Sequence, residues 1–211
     1  MKLFARIILF RVFLRPFLGL VIGVKFPKPQ CFPRGKFLLV ANHNSHLDTV
    51  SLMCSLPVSR LSDVHPAAAA DYFARNKAFA FFFEYFLNTI FVRRKGEKKE
   101  LKPLDELDMH IKSGKSLILF PEGTRGQPEH IADFKHGAAL LLQKNPDLQL
   151  VPVFMIGMGK AMPRGDGFII PTECEIRVGR CNLNDSIRSL PVAEFTSFIQ
   201  NEVLKLKQAN S

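Results

Sequence analysis

His43, His46 and Asp48 fall within six residues of one another in the stretch "VANHNSHLDTVSL". A carboxylate that accepts from one ring nitrogen of a histidine fixes the tautomer and favours the imidazolium. The other nitrogen is then left as a general base, a role worth roughly 10²–10⁴ in rate. The pair with suitable spacing is His43 and Asp48. If Ser45 is a helix N-cap, Asp48 lies in the first turn and its carboxylate can face back to His43. The same residues also read as a helix start and nothing more. Ser45-x-x-Asp48 resembles a capping box, and the helix dipole favours an acid at that position. His46 is then a first-turn surface residue.

Two later stretches carry anion-binding chemistry. In "FPEGTRG" a Pro/Gly turn follows the apolar run "SLILF". A glycine turn at a strand end exposes backbone N–H groups, and Arg125 adds a planar, multi-donor cation, a combination suited to phosphate. The plainer reading is an ordinary turn with a solvated arginine. In "TIFVRRK" Arg93 and Arg94 end a strand pattern, so their side chains leave on opposite faces and one can reach a site. A basic strand edge is the alternative.

The elements that must position these residues alternate along the chain. "KFLLVAN" reads as a buried strand and "SHLDTVSLMCSL" as a helix stopped by Pro57. "VHPAAAA" is a second strand, "DYFARNKAFAFFFEYFL" an aromatic-rich helix, and "TIFVRR" a strand by its β-branched content. "GEKKELKPLDELDMHIKSG" is a charged amphipathic helix ending at Gly114. "SLILF" is a strand, "DFKHGAALLLQKN" a helix, "LQLVPVFMIG" a strand, "GMGKAMPRGDG" a loop, "CEIRVGR" a late strand and "VAEFTSFIQNEVLKLKQ" a C-terminal helix. This alternation predicts an α/β fold, a single domain with a mostly parallel central sheet flanked by helices. Ligands in such sheets bind beyond the strand ends, and His43 follows one.

Composition narrows the class. The chain has 211 residues, 47% hydrophobic and 23% charged, which suits one globular domain with its own core. A net charge of +10 attracts anions: nucleic acid, anionic lipid or phosphorylated small molecules. No readable nucleic-acid motif accompanies it, so no nucleic-acid partner is expected. The four cysteines form no CxxC pair or Cys/His cluster, which points to reduced thiols in a cytosol-facing protein and to no metal site. No serine sits in a G-x-S-x-G context, which argues against an α/β-hydrolase esterase.

The first 26 residues, "MKLFARIILFRVFLRPFLGLVIGVKF", are apolar but broken by Arg6, Arg11 and Arg15. The longest uncharged stretch, residues 16–24, falls well short of the ~20 needed for a span. The expectation is an amphipathic segment over 1–26 lying in the membrane interface with its arginines snorkelling to phosphates, followed by the domain over 27–211. A buried N-terminal helix is the alternative. The proline-rich "KFPKPQCFPRG" reads as an extended linker. "FAFFFEYF" can cover acyl chain or simply pack the core.

The ordered set of pieces resembles the glycerolipid acyltransferase family, whose best-known members are the 1-acylglycerol-3-phosphate acyltransferases. The residues carrying the resemblance are the HxxxxD pattern from His43 to Asp48, "IFVRR" ending at Arg94, "FPEGTR" ending at Arg125, the following "DFKHGA", and Val151-Pro152-Val153. It covers roughly residues 37–157. Two departures stand out. Asn88 occupies the place where the family usually has glycine, and Arg93 the place of a common acidic residue.

The resemblance implies acyl transfer from a thioester, acyl-CoA or acyl carrier protein, to the free hydroxyl of a lysophospholipid, making phosphatidic acid in phospholipid biosynthesis. His43 would be the general base and Asp48 its orienting partner. Arg94 and Arg125 would hold the acceptor's phosphate, with Glu122, Gly123 and Thr124 shaping that site. A thioester is already activated, so this chemistry calls for no metal, no cofactor and no enzyme nucleophile. Alternatives are acylation of another lysophospholipid or a lyso-ornithine lipid, or a non-catalytic homologue that binds lipid or acyl carrier. The implied location is peripheral or monotopic, on the cytoplasmic face of an anionic membrane surface.

Overall fold

A computed structural model describes residues 2–70, 77–92, 103–124, 126, 130–162 and 170–208. Seven strands form one sheet: β1 (Val24–Lys25), β2 (Phe37–Ala41), β3 (Val64–Ala69), β4 (Ile90–Val92), β5 (Ser116–Leu119), β6 (Gln149–Ile156) and β7 (Cys174–Val178). Their order is β1-β7-β6-β2-β5-β3-β4, and every neighbouring pair is parallel except β6 with β7. The expected α/β architecture with a mostly parallel sheet is therefore the observed one. Because β2 to β6 all run the same way, their C-terminal ends share one edge; the stretches that start at His43 and Phe120 follow the ends of β2 and β5, while Val151-Pro152-Val153 lies within β6.

Strand β2 sits at the centre and is buried on both faces, which is why "FLLVA" is apolar throughout. Its side chains alternate between two cores. Phe37, Leu39 and Ala41 face a layer built from the N-terminal helix (α1, residues 2–22) and α2 (Leu47–Ser55). Leu38 and Val40 face the layer of α4 (Pro103–Lys112), α5 (Gly137–Lys144) and the last helix, Val192–Gln208. The aromatic helix α3 (Lys77–Tyr85) presses Phe82 and Phe83 partly into the first core and leaves Phe81 exposed.

Two expectations change. The proline-rich segment is not all linker, since its first residue, Lys25, joins Val24 before it in edge strand β1, paired with Cys174 and Glu175 of β7. The N-terminal helix is also inverted relative to the snorkelling picture. It alternates α-turns (Lys2–Ile7, Arg15–Phe17) with wider π-turns (Ile8–Leu14, Leu18–Ile22). Phe10, Leu18 and Ile22 anchor it in the core, and Arg6, Arg11 and Arg15 turn inward to backbone carbonyls. Its outer face is apolar: Phe4 is 69%, Phe13 62% and Leu20 87% exposed. The physical reason is that carbonyls at and beyond the last turn of a helix have no partner within it, and guanidinium donors satisfy them better than apolar groups can. No helix among the described residues is long and apolar enough to cross a membrane.

Candidate active site

Strand register brings the first site residues together. Val40 of β2 pairs with Leu119 of β5, so His43 and Glu122, three residues further along each chain, arrive side by side. Asn42 makes the exit from β2 abrupt. Its buried side chain donates from Nδ2 to the Met155 carbonyl at 3.0 Å and accepts the Met155 N–H on Oδ1 at 2.8 Å. A side-chain amide thus takes the place of the next peptide pairing with β6. The His43 N–H is left for another acceptor, which is Glu122 Oε1 at 2.8 Å.

The imidazole of His43 is held on two sides. Nδ1 donates to Asp48 Oδ2 at 2.9 Å, and the ring stacks on Phe120 with centroids 4.1 Å apart and planes 20° from parallel. The side chain is 20% exposed, so the ring keeps an accessible edge, whereas Asp48 is fully buried. Asp48 Oδ2 also accepts the N–H of Asn44 at 2.7 Å and of Ser45 at 2.8 Å. These donors fix the carboxylate in place independently of the histidine. Capping and pairing therefore coexist. The helix begins at Leu47 with His46 in the N-cap position, and Ser45 Oγ accepts the Leu47 N–H at 3.2 Å while donating to the Met162 carbonyl at 3.1 Å.

Glu122 is 4% exposed and spans two loops, because Oε2 accepts the Ala132 N–H at 2.9 Å while Oε1 holds His43. Burial raises its pKa, and the two backbone donors and His43 oppose the rise. With both oxygens engaged by backbone, this side chain shapes the site by fixing the loops. The Gly126 N–H donates to the His43 carbonyl at 2.9 Å, closing the turn over the histidine. Gly123 has φ +75°, and a Cβ there would lie 2.6 Å from Lys135 Nζ. The backbone angle is what calls for glycine, since the lysine end lying against it could swing aside. Thr124 is exposed on the same turn. Arg94 and Arg125, expected to grip the phosphate, lie outside the described residues, as does Arg93.

One contributor escaped sequence reasoning, and one departure finds its explanation. Lys135 reaches the glycine turn because its N–H donates to the Pro121 carbonyl at 2.9 Å, and only "DFKHGA" hinted at it. Asn88, the departure from glycine, has φ +61°, the left-handed region in which asparagine is among the best tolerated residues after glycine. His65 secures it, with Nδ1 donating to the Asn88 carbonyl at 2.9 Å and Nε2 accepting from Asn88 Nδ2 at 3.2 Å. Asn88 Nδ2 also donates to the Ser62 carbonyl at 3.1 Å. The substitution thus keeps the turn that feeds β4.

An α/β sheet whose strand-end edge carries a carboxylate-oriented histidine beside a glycine turn has the geometry that base-catalysed group transfer needs. Residues 23–156 match the sequence model of the Acyltransferase family, and the chain belongs to that family. Among similar proteins is one named as a probable 1-acyl-sn-glycerol-3-phosphate acyltransferase of Mycoplasma pneumoniae. It is 28% identical over 136 residues, which are 64% of this chain and 50% of that protein. A 1-acyl-sn-glycerol-3-phosphate acyltransferase of Chlamydomonas reinhardtii is 25% identical over 155 residues, 72% of this chain and 41% of its own length. This chain thus spans half or less of the length of these two relatives. The crystal structure of the 1-acyl-sn-glycerophosphate acyltransferase PlsC from Thermotoga maritima superposes with a TM-score of 0.68 at 19% identity. It covers 89% of this chain and 72% of that one, a likeness of fold.

Proposed function

We propose that this protein is an O-acyltransferase that moves a fatty acyl group from a thioester to the free hydroxyl of 1-acylglycerol-3-phosphate. The observation that carries the reading is the 2.9 Å contact between His43 Nδ1 and a fully buried Asp48. With Nδ1 committed to Asp48, Nε2 takes the acceptor's hydroxyl proton as the oxygen attacks the thioester carbonyl. The C–O bond forms and a tetrahedral oxyanion develops. It collapses with cleavage of the C–S bond, and the leaving thiolate takes the proton back from the imidazolium. Asp48 stabilises the imidazolium in between. Acyl-CoA and acyl carrier protein both present the same thioester.

Arg94, Arg125 and the ammonium of Lys135 supply positive charge for the acceptor's phosphate, with Gly123 and Thr124 forming the turn beneath it. The relatives' names support a phosphate-bearing acceptor, and the net charge of +10 fits it. The apolar outer face of α1 supports a position at a lipid surface, where such an acceptor resides.

The test uses purified protein with labelled acyl-CoA or acyl carrier protein and a panel of lysolipids that includes lysophosphatidic acid, larger-headgroup lysophospholipids and lyso-ornithine lipid. Transfer to lysophosphatidic acid, abolished in His43→Ala and retained in His46→Ala, is the expected result. Preference for another lysolipid replaces the acceptor but keeps the chemistry. Wild-type turnover by His43→Ala overturns the mechanism. Absence of transfer to every acceptor points instead to a non-catalytic binding protein.

A further inference from the structure

The helix that carries Asp48 at one end is gripped at the other. In α2 the Cys54 carbonyl accepts from Arg15 Nη1 at 2.6 Å and from Arg11 Nη1 at 3.3 Å. Arg11 Nη2 donates to the Leu56 carbonyl just beyond the helix. Arg15 also lies over the Phe26 ring, 4.2 Å from its centroid. Among the described residues neither arginine has a carboxylate partner, so their charge is directed at the negative end of this helix. A cation in that position stabilises the last turn.

Helix α2 is short. Asp48 and Cys54 are separated by six residues, about 9 Å along the axis at 1.5 Å per residue. A buried element of this length moves as a rod, so a shift at Cys54 is delivered to the carboxylate that holds His43. Both arginines belong to α1, whose opposite face exposes Phe13, Phe17 and Leu20. Residues 13, 17 and 20 follow helical spacing, whereas Arg11 and Arg15 leave on the inner side.

We propose that Arg11 and Arg15 are positioning residues that couple α1, seated on a lipid surface by its outer face, to the helix carrying Asp48. They set the His43–Asp48 geometry from behind without touching substrate. The inference rests on the acyltransferase reading for its activity readout, while the coupling itself is read from backbone exchange.

The experiment compares full-length wild type, Arg11→Gln/Arg15→Gln and Arg11→Lys/Arg15→Lys, each with vesicles of phosphatidylcholine and phosphatidylglycerol. In the glutamine variant kcat is expected to fall about 10- to 100-fold, the cost of a displacement near 1 Å at the base. KM for acceptor and thioester stays within about twofold. Vesicle sedimentation remains that of wild type, because the arginines face inward. The lysine variant keeps the charge but not the forked donor geometry, and recovers part of kcat. In hydrogen exchange, amides 50–55 exchange about three- to tenfold faster in the glutamine variant. Vesicles slow those amides in wild type but not in the variant.

Wild-type kcat in the glutamine variant overturns the proposal, as does exchange at 50–55 that is indifferent to both vesicles and the substitutions. Loss of activity in step with loss of vesicle binding also overturns it, since the arginines would then be lipid contacts. If the wild type transfers no acyl group at all, the functional reading fails, and exchange alone decides the coupling. If the glutamine pair does not fold, the lysine pair and the two single variants carry the same comparison.

Discussion

Replacing Asp48 by asparagine removes one charge and almost nothing else, because the structure dictates how the amide must sit. Oδ2 accepts three N–H groups, from His43 Nδ1, Asn44 and Ser45. Only the amide oxygen of asparagine can take that place, so the amide nitrogen goes to the position of Oδ1. Oδ1 is buried and has no hydrogen-bond partner among the described residues. The His43 tautomer is thereby preserved, and the loss isolates the charge on the carboxylate. Two unit charges about 4 Å apart at an effective dielectric constant near 20 interact by about 4 kcal/mol. The amide dipole restores part of this, leaving about 2–4 kcal/mol, or a fall of about 30- to 1000-fold in kcat.

Release of free thiol from acyl-CoA, followed at varied lysophosphatidic acid, gives kcat and KM separately. The expected result is a loss confined to kcat, with acceptor KM near wild type, since Asp48 is out of reach of substrate. Stability should change by about 1 kcal/mol, because a buried group lacks a partner at the Oδ1 position in both proteins. Asp48→Ala instead strips the acceptor from two buried backbone N–H groups and costs about 1–3 kcal/mol for each, which thermal melting detects. Wild-type kcat in Asp48→Asn, or a loss that appears in acceptor KM alone, would refute the charge argument.

Three further outcomes are expected. Glu122→Gln turns one acceptor into a donor facing either the His43 or the Ala132 N–H, so it should lower the melting temperature by a cost of about 1–3 kcal/mol and reduce kcat; a rise in acceptor KM with unchanged melting would make Glu122 a direct phosphate-site residue instead. Lys135→Ala should raise acceptor KM about 3- to 10-fold with little change in kcat, and Lys135→Arg should restore it; equal KM values for lysophosphatidic acid in all three proteins would remove Lys135 from the phosphate site. Burial pushes the folded-state pKa of His65 down to about 4 from an ordinary 6.5, so the unfolded chain binds the extra proton between those values. Stability from this group is complete above pH 6.5 and declines as pH falls towards 4. His65→Gln should flatten that part of the stability profile, measured by denaturant unfolding at several pH values.

The alternation of apolar runs with amphipathic stretches was enough to read a parallel α/β sheet, because central strands such as "FLLVA" need no partner to declare their burial. The spacing of His43 and Asp48 was equally legible, being local. What escaped depends on chain segments far apart. Strand β1 is two residues long and exists only because β7 pairs with it. The antiparallel run of β7 follows from a reversal after β6, for which the sequence offered only the loop "GMGKAMPRGDG". Asn42 looks like any loop asparagine until Met155 arrives beside it. The arginines of α1 looked like lipid contacts because the carbonyls awaiting them, at Cys54, Leu56 and Phe86, are set by tertiary packing. Asn88 read as a departure from the family's glycine, although what its position demands is a backbone angle.

Residue type alone does not separate His43 from His46, and position does. The main chain at His43 is clamped at both its polar groups, the N–H by Glu122 and the carbonyl by Gly126. The ring is clamped by Asp48 and by the face of Phe120. These constraints come from β2's exit, the start of α2 and the turn after β5, three segments that meet only because β2 and β5 are adjacent and in register. A histidine held this way has lost its freedom before substrate binds, so in the proposed role of base little reorganisation is left for the reaction step. The motif after β5 therefore does two jobs. Its glycine turn and lysine face the expected phosphate, while its glutamate reaches back to fix the histidine. With the proposed phosphate grip and the proposed general base built on one turn, the two would move together, and the distance from the acceptor's phosphate to its reacting hydroxyl would be a property that this turn selects.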